Sequence, residues 1–173
     1  MYKEIILEYG ITKDDILIGH SMGGYFSFVI RETVLCQIVM LASFSNPNKI
    51  VRLVRKQWVN VAMAKMGLLG TTFFQNLLLK AFKGKYFENE VEKVIRNFSN
   101  FSTAQISKMM KLSFGKPVQS VLENPLRIQA KNDVNVRPPD EAFELCSLGH
   151  FCLFLETELI ANIILKGFQK SGD

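Results

Sequence analysis

The sequence predicts an α/β fold in which a mostly parallel sheet of about four strands is interrupted by an all-helical insertion. Two short apolar runs near the start are separated by a segment with helical spacing, which is typical of a β-α-β unit. In the middle of the chain the apolar residues recur with the period of helices, and α/β character returns near the end. We therefore predict a core made of residues 1–46 and 123–173 and a helical domain made of residues 47–122.

The β-α-β unit is predicted from consecutive stretches of sequence. Residues 3–9 have the spacing of an amphipathic helix, and Gly10 ends that helix. DILIGH, residues 15–20, is a continuous apolar run that fits a strand buried on both faces, as in a parallel sheet. GGYFSFVIRET, residues 23–33, reads as a helix, and CQIVMLASF, residues 36–44, reads as a second buried strand.

The last part of the chain completes the predicted core. PLRIQA, residues 125–130, is a strand candidate, and residues 132–141 form a loop with many turn-forming residues. FELCSLGH, residues 143–150, reads as a strand that runs into a loop. A helix over residues 156–169 closes the chain.

The composition is that of a globular domain. With 173 residues, 48% of them hydrophobic, the chain is long enough to bury one core. No run of about eighteen uncharged apolar residues is present, so we expect no transmembrane segment, and the start lacks the pattern of a signal peptide. The three cysteines show no C-x-x-C spacing, which favours buried thiols in a reducing compartment and hence a cytoplasmic protein without a metal site.

The helical insertion is strongly basic. Residues 49–116 hold 13 of the 21 Lys and Arg but only three of the 16 Asp and Glu. We interpret this charge as a solvated face, with attraction to an anionic lipid surface as the alternative. Aromatic and basic residues are not interleaved as in nucleic-acid-binding modules, so we expect no nucleic-acid partner. Ser102 and Gln105 predict a capping box at the start of one helix.

The motif GHSMGG, residues 19–24, lies where the first predicted strand meets the first core helix. A sharp strand-to-helix turn of this kind leaves the serine hydroxyl at its tip, and Gly19 and Gly23 must lack side chains for strand and helix to meet. The N-terminal N–H groups of the helix favour negative charge at the same point. We interpret Ser21 as a nucleophile, and the alternative is a glycine-rich turn with an idle serine. The predicted turn residues are Gly19, His20, Gly23 and Gly24.

A nucleophilic serine needs a base, and the base needs an acid that orients it. His150 follows the last predicted strand, whereas His20 lies beside Ser21 and is expected to point elsewhere. Asp133 follows the strand PLRIQA, so serine, acid and histidine each come just beyond the carboxyl end of a strand, in that order. The order favours a triad of Ser21, Asp133 and His150.

The acid and the base also have plainer interpretations. His150 could be an ordinary histidine of the core or surface, and Asp133 could merely form a turn after Asn132. Asp140 and Glu141 are rival candidates for the acid. Residue types and order alone leave these alternatives open.

Three stretches together resemble the α/β-hydrolase superfamily, in particular its lipases, esterases and carbon–carbon-bond hydrolases with a helical cap. The stretches are ILIGHSMGG (residues 16–24), PLRIQAKNDVNVRPPD (125–140) and LGHFCLFLETELIANIILKGF (148–168). The resemblance implies that Ser21 is the nucleophile, Asp133 the acid and His150 the base, and that the backbone N–H of Met22 is one oxyanion-hole donor. It also implies that the helical insertion is a cap.

The sequence departs from the superfamily pattern in two places. Members carry four further strands and a helix before the nucleophile turn, including the loop with the second oxyanion donor, whereas Ser21 has only twenty residues in front of it. The strand near residues 15–19 would then be an apolar edge, and we expect a homodimer, association with a separate N-terminal piece, or poor solubility. Residues 131–142 barely suffice for a parallel crossover, so we expect a short or displaced last strand, or an acid from elsewhere.

We therefore predict a serine hydrolase that cleaves an ester or related carbonyl bond of an apolar small molecule through an acyl-enzyme, without a cofactor. The alternative is a truncated and catalytically inactive α/β-hydrolase-like protein that acts as a remnant or as a binding partner. The missing oxyanion loop favours the alternative, since loss of one oxyanion donor costs about 10²–10³ in rate.

Overall fold

The computed structural model describes residues 2–50, 57–80, 83–84, 88–114, 122, 124–133, 135–146 and 149–169. The chain divides into two compact units: residues 1–51 with 116–173, referred to below as the sheet unit, and residues 52–115, the helical unit. The sheet unit extends beyond the predicted core at both boundaries with the helical unit: it ends at residue 51 rather than 46 and resumes at residue 116 rather than 123.

Backbone contacts explain the first of these junctions. Pro47–Lys49 forms a 3₁₀ turn just after the second strand. Ile50 then forms an antiparallel bridge with Val136, and Arg137 N–H donates to the carbonyl oxygen of Lys49 at 2.8 Å. Through these contacts residues 47–50 belong to the sheet unit, whereas the sequence predicts them in the helical domain.

A parallel sheet of four strands forms the sheet unit in the described residues, which confirms the predicted α/β fold class. In spatial order the strands are β1 (Ile16–His20), β2 (Gln37–Leu41), β3 (Leu126–Ala130) and β4 (Glu144–Cys146). Gly19 lies opposite Met40 in the register of β1 and β2, and Ile128 lies opposite Glu144 in that of β3 and β4. Because all strands are parallel, their carboxyl ends meet at one edge of the sheet, where sites form in folds of this class.

Helices account for most of the remaining described residues. In chain order they are α1 (Tyr2–Tyr9), α2 (Met22–Val34), α3 (Gln57–Lys65), α4 (Thr72–Lys80), α5 (Glu88–Arg96), α6 (Thr103–Ser113), α7 (Cys152–Leu155) and α8 (Thr157–Gln169). The first two and last two belong to the sheet unit, and α3 to α6 belong to the helical unit. None of these described helices combines the length and the apolar character that a membrane span requires.

The sheet buries apolar side chains on both of its faces. On one face Val39 and Leu41 pack in a cluster that includes Ile160 of α8, and on the other face Ile38 and Met40 pack toward α2. Consecutive strand residues point to opposite faces, so the continuous apolar run of β2 is what a sheet covered on both sides requires. The three cysteines are free and buried, as predicted.

The first strand is less buried than the sequence predicted. Ile16 and Ile18 are 48% and 55% exposed, whereas Ile38 and Val39 of the neighbouring strand are buried. In the described part of the chain β1 pairs with β2 alone, so its outer backbone edge is open. The interpretation of DILIGH as a strand buried on both faces is therefore wrong, because Ile16 and Ile18, on the face opposite α2, are about half exposed.

The connection between β3 and β4 is a loop in its described residues, 131–133 and 135–143, and it leads to a strand of three residues. A short last strand was one of the expected consequences of the short crossover. Val136 within the loop is buried and pairs with Ile50, so the loop is packed although it has no helix among these residues.

Within the helical unit, α6 begins with the predicted capping box. Ser102 Oγ accepts the N–H of Gln105 at 3.2 Å, and Gln105 Oε1 accepts the N–H of Ser102 at 2.8 Å, which confirms the prediction. α6 packs against α3, and α4 packs against α5. Val91 and Ile95, four residues apart on α5, are both buried, as expected for one face of an amphipathic helix.

We expect the open edge of β1 to drive self-association at micromolar concentration, because an unpaired strand edge with apolar side chains recruits another strand. Ile18→Lys places a charge in the middle of this edge and should shift the elution in size-exclusion chromatography toward the monomer. Leu35→Lys is the matched control, since Leu35 is 62% exposed but lies at the end of α2 and outside the strand. A sharply eluting monomer of the unsubstituted protein would contradict this expectation.

Candidate active site

Ser21 occupies a strained backbone position between β1 and α2. Its φ of 53° and ψ of −122° lie in a region that residues other than glycine rarely adopt. Ser21 N–H donates to the carbonyl oxygen of Leu41 at 2.9 Å, and Ser43 Oγ donates to the carbonyl oxygen of Ser21 at 2.6 Å. Both partners lie at or just beyond the carboxyl end of β2, so the neighbouring strand holds the turn in the conformation that projects the serine hydroxyl.

The close approach of β1 and α2 requires glycine at two positions. A Cβ atom on Gly19 would lie 2.5 Å from Gly24 Cα, and a Cβ atom on Gly24 would lie 2.6 Å from Ser43 Cβ. A Cβ atom on Gly23 would meet no atom within 4 Å. The prediction that Gly23 must lack a side chain is therefore wrong, because the helix turns Gly24 rather than Gly23 toward the strands.

The three residues predicted as a triad lie in contact. His150 Nε2 is 2.8 Å from Ser21 Oγ, and His150 Nδ1 is 2.9 Å from Asp133 Oδ2. Ser21 follows β1, Asp133 follows β3 and His150 follows β4, so the carboxyl edge of the parallel sheet brings them together. The side chains of His150 and Asp133 are 9% and 1% exposed, and this exclusion of water strengthens the hydrogen bond between them.

Asp133 is oriented by further hydrogen bonds from its own loop. Its Oδ1 accepts the backbone N–H groups of Asn135 at 2.8 Å and Val136 at 2.9 Å, and its Oδ2 accepts Gln129 Nε2–H at 3.2 Å. These contacts fix the plane of the carboxylate, so that the ring of His150 meets an acceptor in a defined place. No sequence pattern singles out Gln129, because its contact with Asp133 depends on the loop folding back over β3.

The rival acids have other partners. Asp140 accepts a hydrogen bond from Lys49 Nζ at 2.5 Å, and Glu141 Oε2 lies 3.8 Å from Arg127 Nε. His150 Nδ1 instead contacts both carboxylate oxygens of Asp133. The carboxylate beside the histidine is therefore that of Asp133.

Met22 is the first residue of α2 and directly follows Ser21. N–H groups in the first turn of a helix have no acceptor within the helix, and the helix dipole adds a partial positive charge at this end. A carbonyl oxygen that gains negative charge when Ser21 attacks would develop beside this N–H group. The position of Met22 thus suits the predicted oxyanion donor, and its role stays a prediction.

His20 lies against the backbone of His150. Its Nε2 is 2.6 Å from the carbonyl oxygen of His150, and the centroids of the two rings are 5.1 Å apart. Phe151 and Phe154 complete the ring contacts of His20. Burial lowers the pKa of His20 to about 4, so the ring is neutral at pH 7. The sequence carries no signal for this contact, since 130 positions separate the two histidines.

The cysteines do not offer a competing nucleophile. Burial raises the pKa of the thiols of Cys36, Cys146 and Cys152, and a protonated thiol is a poor nucleophile. In the described ranges, no three His, Cys, Asp or Glu side chains are grouped so that they could hold a metal ion. Ser21, in contrast, has a base in direct contact.

Gly23→Ala and Gly24→Ala form a matched pair one residue apart. Gly24→Ala should lower the free energy of unfolding by about 1–3 kcal/mol, because the added methyl group overlaps Ser43. Gly23→Ala should leave it unchanged or raise it by up to about 1 kcal/mol, since the position is open and alanine favours helix. Urea denaturation measures both, and a larger loss in Gly23→Ala than in Gly24→Ala would contradict this assignment.

Titration of His20 should make the stability depend on pH. Its pKa is about 4 in the folded protein against 6.5 in the unfolded chain, because burial disfavours the charged ring. Between these values the unfolded chain binds more protons, so the free energy of unfolding falls as the pH falls. We expect His20 to contribute a loss of about 2 kcal/mol between pH 7 and pH 5 in urea denaturation.

His20→Gln is the control for this effect, because glutamine does not titrate. It should lose about 2 kcal/mol less than the unsubstituted protein over the same pH interval. Equal losses in the two proteins would contradict the low pKa of His20.

No protein-family model matches the sequence, and no curated protein matches it. Similar solved structures include the protein named non-heme bromoperoxidase BpoC from Mycobacterium tuberculosis H37Rv, with a TM-score of 0.64 and 18% identity. They also include the 2-hydroxy-6-oxo-6-phenylhexa-2,4-dienoate hydrolase BphD from Rhodococcus sp. strain RHA1, with a TM-score of 0.60 and 15% identity. The protein named lipase lip1 from Acinetobacter baumannii AYE has a TM-score of 0.57 and 13% identity.

Each similarity covers 97% of this chain, which spans 71%, 69% and 64% of the three proteins in the same order. At identities of 13–18% such a similarity establishes the fold and not the reaction. All three proteins are α/β-hydrolases in fold, and each similarity extends over nearly all of this chain. This chain therefore has the α/β-hydrolase fold.

Proposed function

We propose that this protein is a serine hydrolase that cleaves an ester or related carbonyl bond of an apolar small molecule through a covalent acyl-enzyme. The observation that carries the proposal is the continuous path from Ser21 Oγ through the ring of His150 to Asp133, with distances of 2.8 and 2.9 Å. A serine hydroxyl is a weak nucleophile at neutral pH, and a base in direct contact makes it reactive.

In the first half of the reaction, Ser21 Oγ attacks the carbonyl carbon while His150 Nε2 takes the hydroxyl proton. Asp133 accepts the Nδ1–H bond of His150, which keeps Nε2 available as the base and stabilises the imidazolium. Collapse of the tetrahedral intermediate breaks the bond to the leaving alcohol, and the alcohol takes the proton from His150.

In the second half, water replaces the alcohol. His150 Nε2 removes a proton from the water, whose oxygen attacks the acyl carbon, and Ser21 leaves with the proton returned by His150. An ester and water yield a carboxylic acid and an alcohol without any change of oxidation state, so the chemistry requires no redox cofactor. The N–H of Met22, at the positive end of α2, stabilises the oxyanion in both halves.

Two observations support an apolar substrate. The ring of Phe151 lies 5.5 Å from that of His150, and the ring of Phe154 lies 6.0 Å from that of His20, so apolar surface adjoins the base. Among the similar structures, one is named as the hydrolase of a phenylhexadienoate and another as a lipase. An aliphatic or aromatic acyl group suits such surroundings.

A catalytically inactive protein, acting as a remnant or a binding partner, is the second candidate. The open edge of β1 in the described residues favours it. The backbone of Ser21 favours the enzyme, because such strain costs on the order of 1–3 kcal/mol and is typical of functional sites.

A fluorophosphonate probe, which reacts with activated serines, tests the proposal. We expect labelling at Ser21 that is abolished in Ser21→Ala and slowed by about 10⁴-fold in Asp133→Asn, which leaves the histidine in the wrong tautomer. Ser27→Ala is the matched control, because Ser27 lies on α2 with its hydroxyl bonded to the carbonyl oxygen of Gly23, and it should label normally. A folded protein that does not label would favour the inactive alternative.

A further inference from the structure

The imidazole of His20 lies beside the proposed base, His150, and takes part in no step of the proposed mechanism. His20 Nε2 lies 2.6 Å from the backbone carbonyl oxygen of His150. A carbonyl oxygen only accepts hydrogen bonds, so Nε2 of His20 must carry the proton and donate it. Burial lowers the pKa of His20 to about 4, so the ring is the neutral Nε2–H tautomer at neutral pH.

Three polar atoms of His150 therefore have hydrogen-bond partners: Nδ1, Nε2 and the backbone carbonyl oxygen. Its Nδ1 contacts Asp133 after β3, its Nε2 contacts Ser21 after β1, and its carbonyl oxygen contacts His20 within β1. The first two contacts hold the ring, whereas the third holds the backbone from which the ring projects. The strand before His150 has only three residues, and next to His150 the carbonyl oxygen of Gly149 accepts the N–H of Cys152 at 2.8 Å.

We propose that His20 is a positioning residue for His150, and that its Nε2–H bond to the His150 carbonyl sets the direction in which the imidazole faces Ser21. This inference rests on the proposed serine hydrolase function and deepens it. His20 and Ser21 are adjacent, so the strand that delivers the nucleophile also anchors the backbone of the base. A small displacement of β1 then moves nucleophile and base together and preserves their contact.

A neutral donor suits this position better than a charged one. His150 becomes an imidazolium during the proposed reaction, and a second positive charge at a ring separation of 5.1 Å would oppose it. The titratable groups that face His20 are His150 and Asp133, and its other ring contacts are Phe151 and Phe154. His20 therefore supplies a hydrogen bond without adding charge beside the base.

If His20 only filled space, its replacement by any side chain of similar size would leave the ring of His150 in place. If its N–H donor positions His150, only a replacement that keeps a donor would do so. His20→Met and His20→Gln separate the two roles. Both replacements are unbranched and of similar length, but only glutamine offers a side-chain N–H donor. His20→Phe is a second donor-free variant, closer in shape to imidazole, should His20→Met not fold.

Two measurements report the position of the His150 ring. One is the rate at which the fluorophosphonate probe labels Ser21, and the other is the proton NMR signal of the Nδ1–H bond between His150 and Asp133. We expect His20→Met to slow labelling by roughly 10- to 100-fold, and to broaden the proton signal, because the ring samples unproductive directions. His20→Gln should return both quantities close to those of the unsubstituted protein.

A folded donor-free variant with an unchanged labelling rate and a sharp proton signal would overturn the inference. Impairment of His20→Gln equal to that of His20→Met would also overturn it, because the donor would then not be the cause. Failure of the proposed function has a different signature: the unsubstituted protein does not label, or labelling survives Ser21→Ala. The proton signal is then the remaining test of positioning: a signal that is broadened in His20→Met and sharp in His20→Gln supports positioning of His150 by His20.

Discussion

The strained turn at Ser21 is the constraint on which the rest of the site depends. A serine with a φ of 53° persists there because the end of β2 holds it through Leu41 and Ser43, and because Gly19 and Gly24 let β1 and α2 approach closely. Loss of these contacts would let the backbone relax toward an ordinary turn and swing the hydroxyl away from its histidine. The packing of the first two strands thus shapes the candidate site as well as the core.

The site also requires that the carboxyl ends of the strands bring Asp133 and His150 to Ser21. The loop after β3 has no helix in its described residues, yet Asp133 accepts two of its backbone N–H groups, and Val136 in the same loop is bridged to Ile50. The hydrogen bonds that shape this loop therefore also orient the carboxylate of Asp133. A change in the loop backbone would move the carboxylate, and loss of the carboxylate would remove hydrogen bonds of the loop. Because these bonds are buried or partly buried, the histidine meets its acceptor in a water-poor setting, where each contact is worth more.

Much of the fold follows from local patterns in the sequence. The apolar run of β2, the GHSMGG turn and the capping box of Ser102 and Gln105 each depend on residues a few positions apart, so the chain displays them directly. The positions of Ser21, Asp133 and His150 after β1, β3 and β4 are also visible in the sequence, and they are informative because parallel strands place their carboxyl ends together. The apolar run of β1 predicts burial on both faces, and only the resemblance to the superfamily predicts that β1 is an edge; in the structure Ile16 and Ile18 are about half exposed.

The sequence by itself determined the parallel α/β architecture and the small set of side chains from which a site could be built. Only the tertiary structure decided which carboxylate lies against His150, that Gly24 rather than Gly23 gives the helix room, and that His20 holds the backbone of a residue 130 positions away. The spacing of residue types along the chain indicates which residues lie close together within one strand or one helical turn. These outcomes depend instead on which strands pair and how the loops fold back over them, and tertiary packing alone sets that.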